Sequence, residues 1–80
     1  MYYIATFFSH FGAIRFGREC REAAREMRLM PVPRDLSASC GTCVRFAAPE
    51  DYVPEPDGYG ELMRIVRETA EGYEVVYDGE

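Results

Sequence analysis

The order of strand-like and helix-like segments constrains the fold of this chain more than any other feature. Tyr2 to Phe8 is rich in aromatic and β-branched residues, which predicts a first strand that is buried on both faces. Ser9 then offers an N-cap oxygen to a helix that runs from Phe11 to about Arg28. Because glycine is a poor helix former, Gly17 within this helix indicates close packing against a sheet. The apolar residues of the helix form one stripe: Ala13, Phe16, Gly17, Cys20, Ala23, Ala24 and Met27.

The middle of the chain predicts two further strands joined by a loop. Leu29 to Val32 is a short strand that is halted by Pro31 and Pro33. Because proline cannot donate a hydrogen bond to a ladder, this strand belongs at the edge of a sheet. A loop over residues 34–41 follows, and then a third strand from Thr42 to Ala47.

The last third of the chain predicts an irregular connection, a second helix and a fourth strand. Pro49 to Gly60 is predicted to have no regular secondary structure, because it holds three of the five prolines. Glu61 to Glu71 has the spacing of an amphipathic helix with Gly72 as its C-cap, and Tyr73 to Tyr77 closes the chain as a strand. The apolar residues of this second helix are Leu62, Ile65, Val66 and Ala70.

The resulting order, βαββαβ, is typical of an α+β ferredoxin-like sandwich, a four-stranded antiparallel sheet with two helices on one face. A chain of this length forms a single domain over residues 1–80. In that fold the end of strand 1, the start of helix 1 and the loop between strands 2 and 3 share one sheet edge. Strand 3 also lies beside strand 1. We therefore expect Ser9 and His10 to lie close to Cys40, although thirty residues separate His10 from Cys40.

Composition limits the classes of function. Fourteen acids and nine bases give a net charge of −5, which argues against nucleic-acid binding. All nine bases are arginine, so Schiff-base chemistry and a P-loop lysine are excluded. No apolar run approaches the ~18–20 residues of a membrane span, and the N-terminal residues lack the pattern of a secretory signal. We therefore expect a cytoplasmic protein with no membrane contact.

Residues 31–46, PVPRDLSASCGTCVRF, contain reactive and charged side chains that folding alone does not require. Cys40 and Cys43 stand at C-x-x-C spacing, and it is the thiolate form of cysteine that attacks sulfur and binds metals. Arg34 and Arg45 bracket the two thiols and are candidates for holding a small oxyanion or stabilising a thiolate, persulfide or selenolate. The candidate anion-binding nest consists of the backbone amides of Ser37, Ser39 and Gly41.

The other reactive side chains leave alternatives open. Cys43 shares a strand face with Arg45, so Cys43 either resolves an adduct on Cys40 or fills space in the sheet. Cys20 lies on the apolar stripe of the helix, where a free cysteine behaves as a small hydrophobe. His10, the only histidine, is either a surface residue or a proton carrier and thiolate partner for Cys40.

A zinc site within one chain is not expected. His10 and Cys20 lie ten residues apart on one helix, which is about 15 Å of rise, so they cannot share an ion unless the helix is broken. A lone C-x-x-C is a weak zinc signal, and only a site shared across a dimer stays open. We therefore expect no metal and no cofactor.

Residues within 31–46, together with the first strand and residues 48–51, resemble the signature of the selenium/sulfur carrier-like family of small bacterial proteins. This resemblance implies a carrier that holds sulfur or selenium on Cys40 as a persulfide or selenopersulfide. It also implies a cysteine desulfurase or selenocysteine lyase as the donor, whereas the acceptor protein and the choice of chalcogen stay undefined. The similar segments are Tyr2 to Phe7, Pro31-Val32-Pro33-Arg34, Ser37, Ser39, Cys40-Gly41, Arg45-Phe46 and Ala48-Pro49-Glu50-Asp51.

Two departures from the family pattern leave other classes of function open. Family members usually carry an apolar or small residue where this chain has Cys43, and residues 53–59 look inserted. One alternative is a thiol redox protein that uses Cys40 and Cys43 as a reversible pair, which the strand position of Cys43 disfavours. The other is a non-covalent regulatory module, for which we expect a homodimer through the sheet face or an edge strand.

Overall fold

The structure is a computed structural model that describes residues 1–79. Within this range, five strands form one sheet and a single helix packs on it. The strand order is β2-β3-β1-β4-β5, and every neighbouring pair is antiparallel. The α+β class is therefore correct, but the predicted ferredoxin-like sandwich with four strands and two helices is wrong. The elements are β1 Tyr2–Phe7, α1 His10–Glu22, β2 Met27–Pro31, β3 Thr42–Ala47, β4 Leu62–Thr69 and β5 Gly72–Asp78.

The first strand and the cap of the helix confirm the sequence predictions, but the helix ends earlier than predicted. The Gly12 amide donates to Ser9 Oγ at 3.3 Å, so Ser9 is the N-cap. The helix ends at Glu22 rather than near Arg28, because Ala24 adopts a positive φ of 58°. The Ala24 amide then donates to the Arg21 carbonyl and the Arg25 amide to the Cys20 carbonyl, which is the hydrogen-bond pattern of a Schellman motif.

The segment predicted as a second helix is the strand β4. Leu62 and Ile65 have helical spacing because β4 bulges at Met63, where Phe7 pairs with Leu62 and the preceding Thr6 pairs with Arg64. Leu62 and Ile65 therefore face the α1 side, whereas Val66 lies on the opposite face. Gly72, predicted as a helix cap, has a φ of +133° and is the first residue of β5, where it pairs with Thr69 across a tight turn. The predicted fourth strand is thus β5, at the outer edge of the sheet.

The main core lies between the sheet and α1. Five aromatic rings form a connected cluster, with neighbouring centroids 5.1 to 5.6 Å apart. Gly17 confirms the predicted close approach, because a Cβ at that position would lie 2.7 Å from the terminal methyl of Met27 in β2. The rings of the cluster belong to Tyr3, Phe7, Phe16, Phe46 and Tyr52.

A smaller core lies on the opposite face of the sheet and fixes the loop that carries Cys40. Ile4, Cys43 and Val66 form its buried centre. Side chains from the end of β2 and from the loop pack against this centre: Met30, Val32 and Leu36. The loop between β2 and β3 therefore has an apolar anchor under it, which holds its position at the sheet edge.

Candidate functional site

The loop over residues 32–41 is tied to the end of β1 by main-chain hydrogen bonds. The Cys40 amide donates to the Phe7 carbonyl at 3.2 Å, and the Val32 amide donates to the Gly41 carbonyl at 3.0 Å. β3 lies beside β1, as predicted. The main chain of Cys40 therefore contacts the segment that leads into α1. Among the described residues, neither Ser9 nor His10 forms a side-chain hydrogen bond with Cys40.

The sulfur of Cys40 accepts a hydrogen bond from one main-chain amide. Cys40 is half-buried, and the Thr42 amide points at its Sγ at 3.5 Å. Within residues 1–79, three exposed neighbours leave their amides without an acceptor: Ser37, Ser39 and Gly41. A Cβ at Gly41 would meet nothing within 4 Å, so the loop is open at this residue. Amides that point at a sulfur stabilise negative charge on it.

The other two thiols are buried and stay protonated. Burial raises the pKa of Cys43 from its ordinary value of 9.0 to about 11, and the neighbouring Cys40 adds to the effect. The Cys43 thiol donates to the Pro31 carbonyl at 3.6 Å. Burial also raises the pKa of Cys20 to about 11, although Arg25 opposes part of this rise. Cys20 lies in the core as predicted, and all three cysteines are free.

The two arginines that bracket the cysteines differ in what they contact. Arg45 makes a two-point ion pair with Glu68 of β4, at 2.7 Å through Nε and 3.0 Å through Nη2. This hydrogen bond raises the pKa of Arg45 and lowers that of Glu68, and the guanidinium also lies 3.8 Å from the Tyr2 ring centroid. Arg34 is exposed and has no ion pair within residues 1–79. Among residues 1–79, Arg34 is therefore the bracketing cation that has no ion pair.

His10 is the first residue of α1 and is exposed. It makes no side-chain hydrogen bond or ion pair within the part of the chain that the structure describes. In the same range, no three histidine, cysteine, aspartate or glutamate side chains cluster closely enough to hold a metal ion. The role of His10 as a proton carrier for Cys40 stays a prediction.

Comparison with known protein families identifies the segment that contains Cys40 and its loop. The family model described as "Putative Se/S carrier protein-like" matches residues 2–54. The chain belongs to this family. The matched segment contains β1, α1, β2, the Cys40 loop and β3, whereas the β4–β5 hairpin lies beyond it. No curated protein and no solved structure gives a significant match. Among the described residues, no helix is long and apolar enough to cross a membrane.

Sequence reasoning missed how the Se/S carrier-like segment is joined to β4. The Glu61 carboxylate, just before β4, accepts a hydrogen bond from Ser9 and forms an ion pair with Arg15 of α1. The Phe8 amide donates to the Glu61 carbonyl at 2.8 Å. These contacts fix the start of β4 against the start of α1. Because Glu61 was predicted to begin a helix, nothing in the sequence indicated these partners.

Sequence reasoning also missed a cleft of about 600 Å³ between α1 and the connection over residues 49–61. Arg15 stacks on the Tyr59 ring at 3.8 Å, and Arg25 lies 4.9 Å from the centroid of the Tyr52 ring. Acidic side chains also line this cleft, so the charge in the cleft is of mixed sign. Cys40 does not line it. Its apolar floor is formed by Phe7, Phe16, Phe46 and Leu62.

Proposed function

We propose that this chain is a carrier that holds sulfur or selenium on Cys40 as a persulfide or selenopersulfide. A cysteine desulfurase or selenocysteine lyase supplies the atom, and an acceptor protein removes it. The carrier works in the cytoplasm, where thiols are kept reduced. Membership of the Se/S carrier-like family supports this proposal, because the matched segment includes Cys40 and its loop.

The observation that carries the proposal is the contrast between Cys40 and the other two cysteines. Cys40 is half-buried at a loop, beside open main-chain amides. Cys20 and Cys43 are 5% and 0% exposed, and burial raises the pKa of each thiol to about 11. A carrier needs one sulfur that a partner protein reaches, and Cys40 meets this requirement.

The loading step requires no oxidant or reductant beyond the donor itself. The Cys40 thiol loses its proton to solvent, and its Sγ attacks the outer atom of a persulfide on the donor. The new bond from Sγ to that atom forms as the bond within the donor persulfide breaks, and the donor sulfur leaves as a thiolate. Unloading repeats the step, with an acceptor thiolate as the attacking group.

The loaded form of Cys40 is an anion, and the loop offers groups that stabilise it. The Thr42 amide at 3.5 Å from Sγ supplies one donor. The amides of Ser37, Ser39 and Gly41 supply further positive dipoles at the same loop, as in an anion-binding nest. Arg34 adds a full charge, whereas Arg45 is held by Glu68 on the sheet face.

The direct test is mass spectrometry after incubation with a cysteine desulfurase and cysteine. We expect the wild type to gain the mass of one sulfur atom at Cys40, and Cys40→Ser to gain none. Cys43→Ala is the matched control, and it is expected to load like the wild type. Equal loading of wild type and Cys40→Ser would contradict the proposal. Selenocysteine lyase with selenocysteine, in the same assay, distinguishes selenium from sulfur.

A thiol redox pair of Cys40 and Cys43 is a second candidate. Its support is the proximity of the two thiols, since Cys40 contributes to the raised pKa of Cys43. Against it, Cys43 is fully buried and its thiol points at the Pro31 carbonyl. Titration with glutathione redox buffers separates the two candidates, because the redox pair predicts a reversible internal disulfide.

A further inference from the structure

We propose that the protein that exchanges sulfur or selenium with Cys40 docks on an apolar surface at the start of α1. This surface, the α1 rim, consists of Phe8, Phe11 and Ile14. The partner presents its own sulfur-bearing cysteine within an apolar patch that is bordered by acidic side chains. This inference rests on the proposed function, because it names where the donor of that reaction binds.

The exposure of the α1 rim is not explained by folding. Phe11 is 75% exposed, and Phe8 and Ile14 are each 40% exposed. Phe11 and Ile14 are three residues apart on α1, so their side chains lie on neighbouring positions of one helix face. Single exposed apolar residues are ordinary, but a cluster of them indicates an interaction surface.

The α1 rim begins beside the main-chain contact that ties the Cys40 loop to β1. The Cys40 amide is bonded to the Phe7 carbonyl at 3.2 Å. Phe11 follows Phe7 by four residues, so their Cα atoms are at most about 14 Å apart. A standard protein interface covers about 800 Å² on each partner, which corresponds to a radius of roughly 16 Å. Transfer requires contact between the two sulfur atoms, so a partner centred on Cys40 reaches Phe8, which directly follows Phe7, and we infer that it extends to Phe11 and Ile14.

The charges near the α1 rim define the kind of partner. Arg18 is exposed one turn beyond Ile14, and Arg34 is exposed in the Cys40 loop, opposed there by Asp35. Neither arginine has an ion pair among residues 1–79. With Arg21 included, three exposed arginines stand against two exposed acids, Glu22 and Asp35, in a chain of net charge −5. Acidic side chains around the donor cysteine would complement these arginines and speed association.

The test compares sulfur transfer to Cys40 from two donors. One donor is a cysteine desulfurase that carries its persulfide, and the other is glutathione persulfide, which is too small to need a docking surface. The test variant is the double substitution Phe11→Ser with Ile14→Ser. The matched control is Val53→Ser with Val75→Ser, because these valines are 77% and 56% exposed but lie outside the rim. Circular dichroism before the assay verifies that both variants fold.

We expect the test variant to accept sulfur from the desulfurase about tenfold more slowly than wild type, which is the effect of losing a central interface contact. Its rate with glutathione persulfide should stay within about twofold of wild type. The rate with the desulfurase should also fall with added salt, as expected for charge-steered association. The control variant should match wild type with both donors.

Other results overturn the inference in distinguishable ways. If the test variant keeps the wild-type rate with the desulfurase, docking on the α1 rim is wrong but the carrier function stands. The same holds if both variants slow equally, or if the test variant also slows with glutathione persulfide. If wild-type Cys40 loads from glutathione persulfide but not from the desulfurase or a selenocysteine lyase, the proposed donor and its docking site are both wrong. If wild type loads from neither donor, the carrier function itself is wrong.

Discussion

The protonation of the buried thiols makes a quantitative prediction about alkylation of the native protein. At pH 7, a thiol with a pKa of about 11 is thiolate in about one molecule in 10⁴. An ordinary cysteine thiol, with a pKa of 9.0, is about 1% thiolate at the same pH. From ionisation alone, Cys20 and Cys43 should therefore react with iodoacetamide roughly 100 times more slowly than free cysteine. Cys40 should react first.

The assay is a time course of iodoacetamide labelling at pH 7, followed by peptide mass spectrometry. We expect one adduct, on Cys40, in the native protein and three adducts in urea. Native Cys40→Ser should take up almost no label, and this variant measures the combined rate of Cys20 and Cys43 without interference. Because both thiols are also shielded from the reagent, their observed rate should lie below the value set by ionisation alone.

Two results would refute this reasoning. Labelling of native Cys40→Ser at a rate near that of free cysteine would mean that Cys20 or Cys43 is accessible and ionised, contrary to their burial. Labelling of native wild type at Cys43 before Cys40 would reverse the roles of the two thiols. In that case the carrier atom would have to be assigned to Cys43.

Two further predictions concern stability. Gly12→Ala should destabilise the protein by about 1–2 kcal/mol in urea unfolding, because its Cβ would lie 2.8 Å from Glu61 Cβ and 3.0 Å from the Phe7 ring. Gly17→Ala is the control in the same helix and should change little, since only the flexible end of Met27 must move; equal losses would contradict this account. Cys43 stabilises the fold below pH 9, and this stabilisation is lost as the pH rises through its folded pKa of about 11. The unfolding free energy of wild type minus that of Cys43→Ala should therefore fall by about 2 kcal/mol from pH 8 to pH 10.5, and a constant difference would show that Cys43 is not desolvated.

The strands and the helix cap around the Cys40 loop were more predictable from the sequence than the rest of the fold, and the reason is the range of the interactions. β3 was predicted with its exact bounds, Thr42–Ala47, from its local sequence. The edge position of β2 followed from its prolines, and the Ser9 cap followed from local hydrogen bonding. The position of the β2–β3 loop at the end of β1 followed from the placement of β3 beside β1.

The errors arose where distant partners decide the local structure. Leu62, Ile65 and Val66 have the spacing of a helix face, but a bulged strand buried on both faces produces the same spacing. β4 forms a strand because it pairs with β1 on one side and with β5 on the other. The Arg45–Glu68 pair joins residues 23 positions apart, so no local pattern indicated it.

The position of the β4–β5 hairpin outside the family-matched segment bears on how an anion at Cys40 is stabilised. The matched segment alone leaves one edge of β1 unpaired, and β4 pairs along it from Tyr3 to Phe7. The same strand supplies Glu68, which engages both the Nε and Nη2 groups of Arg45. An arginine held in this way has little remaining capacity to bind a second anion, because its planar fork is already used. If Cys40 carries the sulfur as proposed, we therefore expect Arg34 and the amides of the Cys40 loop, all within the matched segment, to stabilise it.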